Sequence, residues 1–165
     1  MRRNPVTLVI VMISMLLIPI TTLALGSNQK KVDWILKMDT APFGVIFEVV
    51  EGDGSALNWA IPQIKDFSAQ LRKRFPDIGI AVVSHGREQF ALTKDKAKKF
   101  SKVHNLVKSL SLNDDIPVHV CGTHASWFNK SATDFPDYIK VSPAAPTEIA
   151  NYEEMGYELI VMDAP

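Results

Sequence analysis

Ile116-Pro117-Val118-His119-Val120-Cys121-Gly122-Thr123-His124-Ala125-Ser126-Trp127-Phe128 is the stretch on which the reading of this chain turns. Its apolar first half has the character of a buried strand, and the strand stops at Cys121, the single cysteine of the sequence. Gly122 then lets the backbone turn sharply. In open α/β sheets the crevice outside the carboxyl ends of the strands is where ligands bind. A segment turning helical after Gly122 would aim free N–H groups at the sulfur and favour the thiolate. Cys121 is therefore the candidate nucleophile.

Working outward from that strand, two more apolar runs precede it. Phe43-Gly44-Val45-Ile46-Phe47-Glu48-Val49-Val50 is β-branched and aromatic and closes on Glu51-Gly52-Asp53-Gly54. Ile78 to Ser84 is almost wholly apolar and stops at His85-Gly86. Between them Leu57, Ala60, Ile61, Ile64, Phe67 and Leu71 recur at helical spacing, with Ser55 as a candidate cap and Pro62 marking either the first turn or a kink. Arg87–Thr93 reads as a loop with a short helical turn. Lys94–Leu110 reads as a second helix through Ala97, Phe100, Val103, Leu106, Val107 and Leu110.

After Cys121, Tyr138–Val141 is a short strand, Thr147–Met155 a helix ending near Gly156, and Tyr157–Met162 the last strand. Strand and helix alternate throughout. The expected fold is α/β, a flavodoxin-like three-layer sandwich of about five mainly parallel strands with helices on both faces.

The N-terminus reads differently. Arg2 and Arg3 precede an apolar run over Leu8–Ile20, and Ala24-Leu25-Gly26 offers small residues at cleavage spacing, the layout of a secretory signal peptide over residues 1–26. An uncleaved anchor is the competing reading, since the run approaches the length that begins to span a bilayer. With cleavage no stable membrane span remains, and the expected location is the periplasm or another exported compartment. Residues 27–42 are weakly patterned and read as an extended lead-in covering an edge or a neighbouring subunit. Residues 43–165 then form one α/β domain.

The 18 basic and 18 acidic residues balance, and removing the leader takes away two arginines and no acid. A slightly acidic mature chain does not suit a nucleic-acid binder. One unpaired cysteine excludes an internal disulfide, which leaves burial, pairing between chains or chemistry.

His124 stands three residues after Cys121, on the same face if the segment is helical, and could tune the thiol. His119 shares the strand face of Cys121 and reads first as a satisfied core histidine. His119, Cys121 and His124 together also outline a copper or zinc module. His85 ends the second strand and could line the crevice. No phosphate loop, nucleophile elbow, Cys-x-x-Cys or haem motif occurs.

Over Phe43 to Met162 the chain resembles the DsrE/DsrF-like family, which includes the TusBCD sulfur-relay subunits. The likeness rests on Val45-Ile46-Phe47-Glu48-Val49, Ile80-Ala81-Val82-Val83-Ser84-His85-Gly86, Ile116-Pro117-Val118-His119-Val120-Cys121 and Met155-Gly156-Tyr157-Glu158-Leu159-Ile160-Val161-Met162. The resemblance implies a flavodoxin-like fold, homotrimers or hexamers, and no bound cofactor. It further implies that Cys121 carries sulfur as a persulfide between a donor and an acceptor protein. A non-catalytic oligomeric binding or scaffold protein, with Cys121 as packing, is the alternative.

Overall fold

The computed structural model describes residues 26–165. The leader expected over residues 1–26 therefore lies, apart from Gly26, outside the described residues. Among those, no helix is long and apolar enough to cross a membrane.

Five parallel strands form one sheet: β1 (Gly44–Val49), β2 (Gly79–Ser84), β3 (Val118–Cys121), β4 (Lys140–Ser142) and β5 (Tyr157–Val161), in the order β4-β3-β2-β1-β5. The chain steps from β1 to β4 in one direction and then crosses back to place β5 beside β1. Right-handed crossovers put the connections of opposite steps on opposite faces. Hence α2 (Leu57–Arg74) and α3 (Ser101–Leu112) cover one face, while α5 (Ala145–Glu154) covers the other. The α/β sandwich expected from the alternation is what forms.

Period-two alternation divides the core. Val45, Phe47, Val49, Ile80, Val82, Val118 and Val120 face α2 and α3, with Phe47 stacked on Phe67. Ile46, Ala81, Val83 and Cys121 face α5 and its Ala145 and Ile149. Burial on both sides explains why β1 to β3 read as nearly continuous apolar runs. Gly44 and Gly79 on β1 and β2 leave room for the Tyr157 ring, which lies where their Cβ atoms would stand.

Three expectations need correction. Residues 27–42 do not form an extended lead-in, because Ser27–Leu36 is a helix, α1, packed on α2 and β5. Its buried stripe is Asn28, Val32 and Ile35. The first of these is polar, so the periodic signal is weak in sequence. Asn28 is tolerated because its amide donates to the Asp163 carbonyl at 2.7 Å and its carbonyl accepts the Asp163 N–H at 2.8 Å.

The helix expected from Lys94 starts only at Ser101. Val103, Val107 and Leu110 are buried and pin it, whereas Ala97 and Phe100 are only half-buried and the segment before them is a 3₁₀ turn. Ser55 does not cap α2, since its hydroxyl and N–H both go to Asp53. Pro62 lies within α2, past its first turn. The ambiguous segment after β2 is a 3₁₀ helix, Arg87–Leu92.

Candidate functional site

Past the carboxyl ends of β1, β2 and β3 lies an open, mainly apolar cavity of about 570 Å³. Val50, Glu51 and Gly52 line it after β1, and His85, Gly86 and Arg87 after β2. Cys121 ends β3 in its wall, Thr123, His124 and Trp127 come from the short helix α4 (Gly122–Trp127), and Ala144 and Pro146 from the start of α5. The crevice expected from the strand pattern thus exists, and it gathers Cys121, His85 and His124.

Cys121 is buried, 5 % exposed, and lines this cavity. The main-chain N–H of His124 donates to Sγ at 3.4 Å. That bond requires the turn that Gly122 makes directly into α4, where a side chain at residue 122 would stand 3.0 Å from the Ser142 carbonyl oxygen.

The His124 ring has other partners. Its Nδ1 lies 2.7 Å from the His85 carbonyl oxygen and 3.0 Å from the Gln89 amide nitrogen. The carbonyl calls for a proton on Nδ1 and the amide calls for its lone pair, so the two compete for one atom. Phe90, Trp127 and Phe128 surround the ring at 5.4–5.5 Å. Among the described residues, the hydrogen bond His124 gives the thiol is from its backbone.

Two residues that carry no signal in the sequence hold the lining residues in place. Gln89 is wholly buried, and its carbonyl accepts the Cys121 N–H at 2.9 Å while its amide faces His124. Glu88, also wholly buried, accepts from the Ser84 hydroxyl and Gly86 N–H at 2.8 Å and from the Glu51 N–H at 2.7 Å. Burial pushes its carboxyl up from the usual value, against these hydrogen bonds, which hold it down.

A third overlooked residue is Glu48, whose Oε1 lies 2.7 Å from His85 Nε2. The available signal was its position, a charge inside an otherwise apolar strand.

His119 lies outside this cavity's lining. Its Nδ1 meets Ser142 Oγ at 2.9 Å, with Glu148 at 3.4 Å, and its Nε2 meets the Tyr152 hydroxyl at 3.1 Å. The Tyr152 pKa is pushed up to about 12, chiefly by burial, which keeps that hydroxyl protonated. With both ring nitrogens occupied, His119 is the satisfied core histidine its strand position suggests. Among the described residues no group of three or more His, Cys, Asp or Glu side chains is placed to hold a metal ion, so the copper or zinc module is corrected.

Burial lowers the His119 pKa from its ordinary 6.5, with Glu148 opposing. The unfolded chain then binds a proton near pH 6.5 that the folded chain refuses. The stability present above that value is lost as the pH falls through the folded pKa. Urea midpoints should accordingly drop more steeply below about pH 6.5 in wild type than in His119→Gln. Parallel curves would refute this.

No protein-family model matches the sequence, and no curated protein matches it. Solved structures do. The chain is similar to MTH1491 of Methanobacterium thermoautotrophicum, a protein of unknown function, at 17% identity and a TM-score of 0.59 over 73% of this chain and 99% of that one. It is also similar to the YchN protein of E. coli, at 12% identity and a TM-score of 0.51 over 72% and 99%. Likeness at this identity is likeness of fold, and the fold shared is the α/β sandwich described above.

Proposed function

We propose that the protein is an exported thiol-based sulfur carrier in which Cys121 takes up and hands on sulfane sulfur. The observation that carries this reading is the sulfur's position: the chain's single cysteine ends β3 in the wall of a cavity outside the strand ends, with an N–H directed at Sγ. A core-filling cysteine needs no such cavity. The resemblance of Ile116-Pro117-Val118-His119-Val120-Cys121 to the sulfur-relay members of the DsrE/DsrF-like family supports the same reading.

The exchange is a two-electron displacement. Cys121 Sγ attacks the outer sulfur of a persulfide, the Sγ–S bond forms, and the donor's S–S bond breaks with its electron pair leaving on the donor sulfur as a thiolate. Unloading runs the same step with an acceptor thiolate attacking the outer sulfur and Cys121 departing. No oxidant or reductant is consumed. The cavity admits a small persulfide or a short thiol-bearing segment, and exposed Trp127 on its rim offers an apolar landing for the latter.

The test is intact-mass measurement after exposure to inorganic polysulfide. Wild type should gain the mass of sulfur and release it to a thiol, and Cys121→Ser should gain none. A wild-type mass that never changes, with the thiol silent to alkylating reagents until the protein is unfolded, would leave Cys121 as packing and favour the scaffold reading.

A further inference from the structure

The carboxyl ends of β1 and β2 hold a second pair of groups that the carrier chemistry above does not use. Val49 stands opposite Ser84, and Ser84 opposite Val120. One step further along the strands, Val50, His85 and Cys121 fall side by side on rows about 4.8 Å apart. Alternation places His85 on the face of Ala81, Val83 and Cys121, and Glu48 on the face of Ile46, which is the same one. His85 and Cys121 line one cavity.

The His85 and Glu48 side chains are 19% and 16% exposed and 2.7 Å apart, so solvent screens their contact weakly. A carboxylate only accepts, so it takes the Nε2 proton of the neutral ring and leaves the lone pair on Nδ1. Nδ1 has no hydrogen-bond partner among the described residues. None of their buried side-chain nitrogens or oxygens lacks one, so Nδ1 meets solvent. His124, by contrast, has its Nδ1 engaged by the His85 carbonyl and Gln89.

We propose that His85, held by Glu48, is the proton acceptor and donor for sulfur exchange at Cys121. The proposal rests on the thiol reading of the cavity. As Sγ attacks, the Cys121 S–H proton passes to His85 Nδ1, the Sγ–S bond forms, and the bond to the leaving sulfur breaks. The leaving thiolate keeps the electron pair and then takes the proton from the imidazolium. In unloading, the acceptor's S–H proton goes to the same nitrogen and returns to Cys121. Glu48 is the positioning residue, fixing the ring tautomer and stabilising the transient imidazolium, as carboxylates do behind catalytic histidines.

The other charged or titratable groups lining the cavity with this ring and Cys121 are Glu51 after β1, Arg87 after β2 and His124 from α4, while the start of α5 contributes Ala144 and Pro146.

The test is stopped-flow exchange of Cys121 with dithiodipyridine across pH, on wild type, His85→Gln, His85→Asn and Glu48→Gln, each checked for native circular dichroism. Near neutral pH the His85 variants should react about 100-fold more slowly, within the range of a general base. The deficit should close at strongly alkaline pH, where thiolate forms unaided. Glu48→Gln should lose less, because the ring keeps its place while the transient imidazolium loses the carboxylate's stabilisation.

Rates for both His85 variants that match wild type at every pH would overturn the proposal. A Glu48→Gln profile superimposed on wild type would overturn the part assigned to Glu48. Polysulfide loading of the same samples separates the two readings. Slowed exchange in the variants with no sulfur uptake by wild type keeps the pair and ends the carrier, whereas uptake with unaltered exchange does the reverse.

Discussion

Replacing Glu88 by alanine should cost about 3 kcal/mol or more of unfolding free energy, because three donors lose their acceptor at once. The Ser84 hydroxyl and the Gly86 and Glu51 N–H groups all terminate on this wholly buried carboxyl. Each buried donor left without a partner costs about 1–3 kcal/mol. Removing a carboxyl that burial already disfavours offsets part of that sum and does not cancel it. Urea unfolding should show the loss in the midpoint with an unchanged slope. Glu88→Gln should lose less, since it keeps the volume and one acceptor but turns an NH₂ toward a main-chain donor.

The carboxyl also has a signature in pH. Its folded pKa is raised above the ordinary 4.5, so the folded chain holds the proton more tightly. The resulting stability is full below pH 4.5 and is lost as the pH rises through the folded value, a slope that Glu88→Gln should lack. A loss below about 1 kcal/mol in Glu88→Ala would show that the strand ends find other partners.

Gly86→Ala should be comparably damaging, for a steric reason. Its backbone, at φ −84° and ψ −160°, suits any residue. The added methyl, however, would stand 2.5 Å from both the N and the O of Glu51 and run into the Glu88 carboxylate. Main chain cannot yield as a flexible side chain does. The ends of β1 and β2 must part, and forced packing of this kind costs about 1–3 kcal/mol or more. Because His85 precedes this residue and Glu51 also lines the cavity, the reactivity of the Cys121 thiol should change along with the thermal midpoint. Gly52→Ala is the control: a methyl there meets nothing within 4 Å, and its stability should stay within about 0.5 kcal/mol of wild type. Equal midpoints for the two variants would sink the argument.

The first prediction falls on a residue that the sequence leaves unremarked, and the second on one that it marks only as a strand stop. Glu88 and Gln89 sit in a segment without helical or strand periodicity, and their partners are 32 to 37 residues away for Glu51 and Cys121. Long-range hydrogen bonds leave no periodic trace. Asn28 hid α1 in the same way, because a buried polar residue in a three-member stripe reads as a gap. Glu48 could have been noticed, since a charge between Phe47 and Val49 contradicts burial on both faces, but its partner could not be named.

What the sequence determined by itself is the layering: runs of β-branched residues alternating with helical periodicity admit a parallel sheet covered on both faces, and they put Cys121 at a strand end. Apolar patterning is local and repeats along the chain, so it survives in one dimension. Tertiary structure alone decided which polar groups meet at the strand ends. The order β3-β2-β1 brings Cys121 and His85 to one crevice, with Glu48 held against His85 and with Gln89 and Glu88 bonded to the backbone of its lining residues. Those contacts depend on strand register and on folded-state burial, which no stretch of sequence specifies on its own.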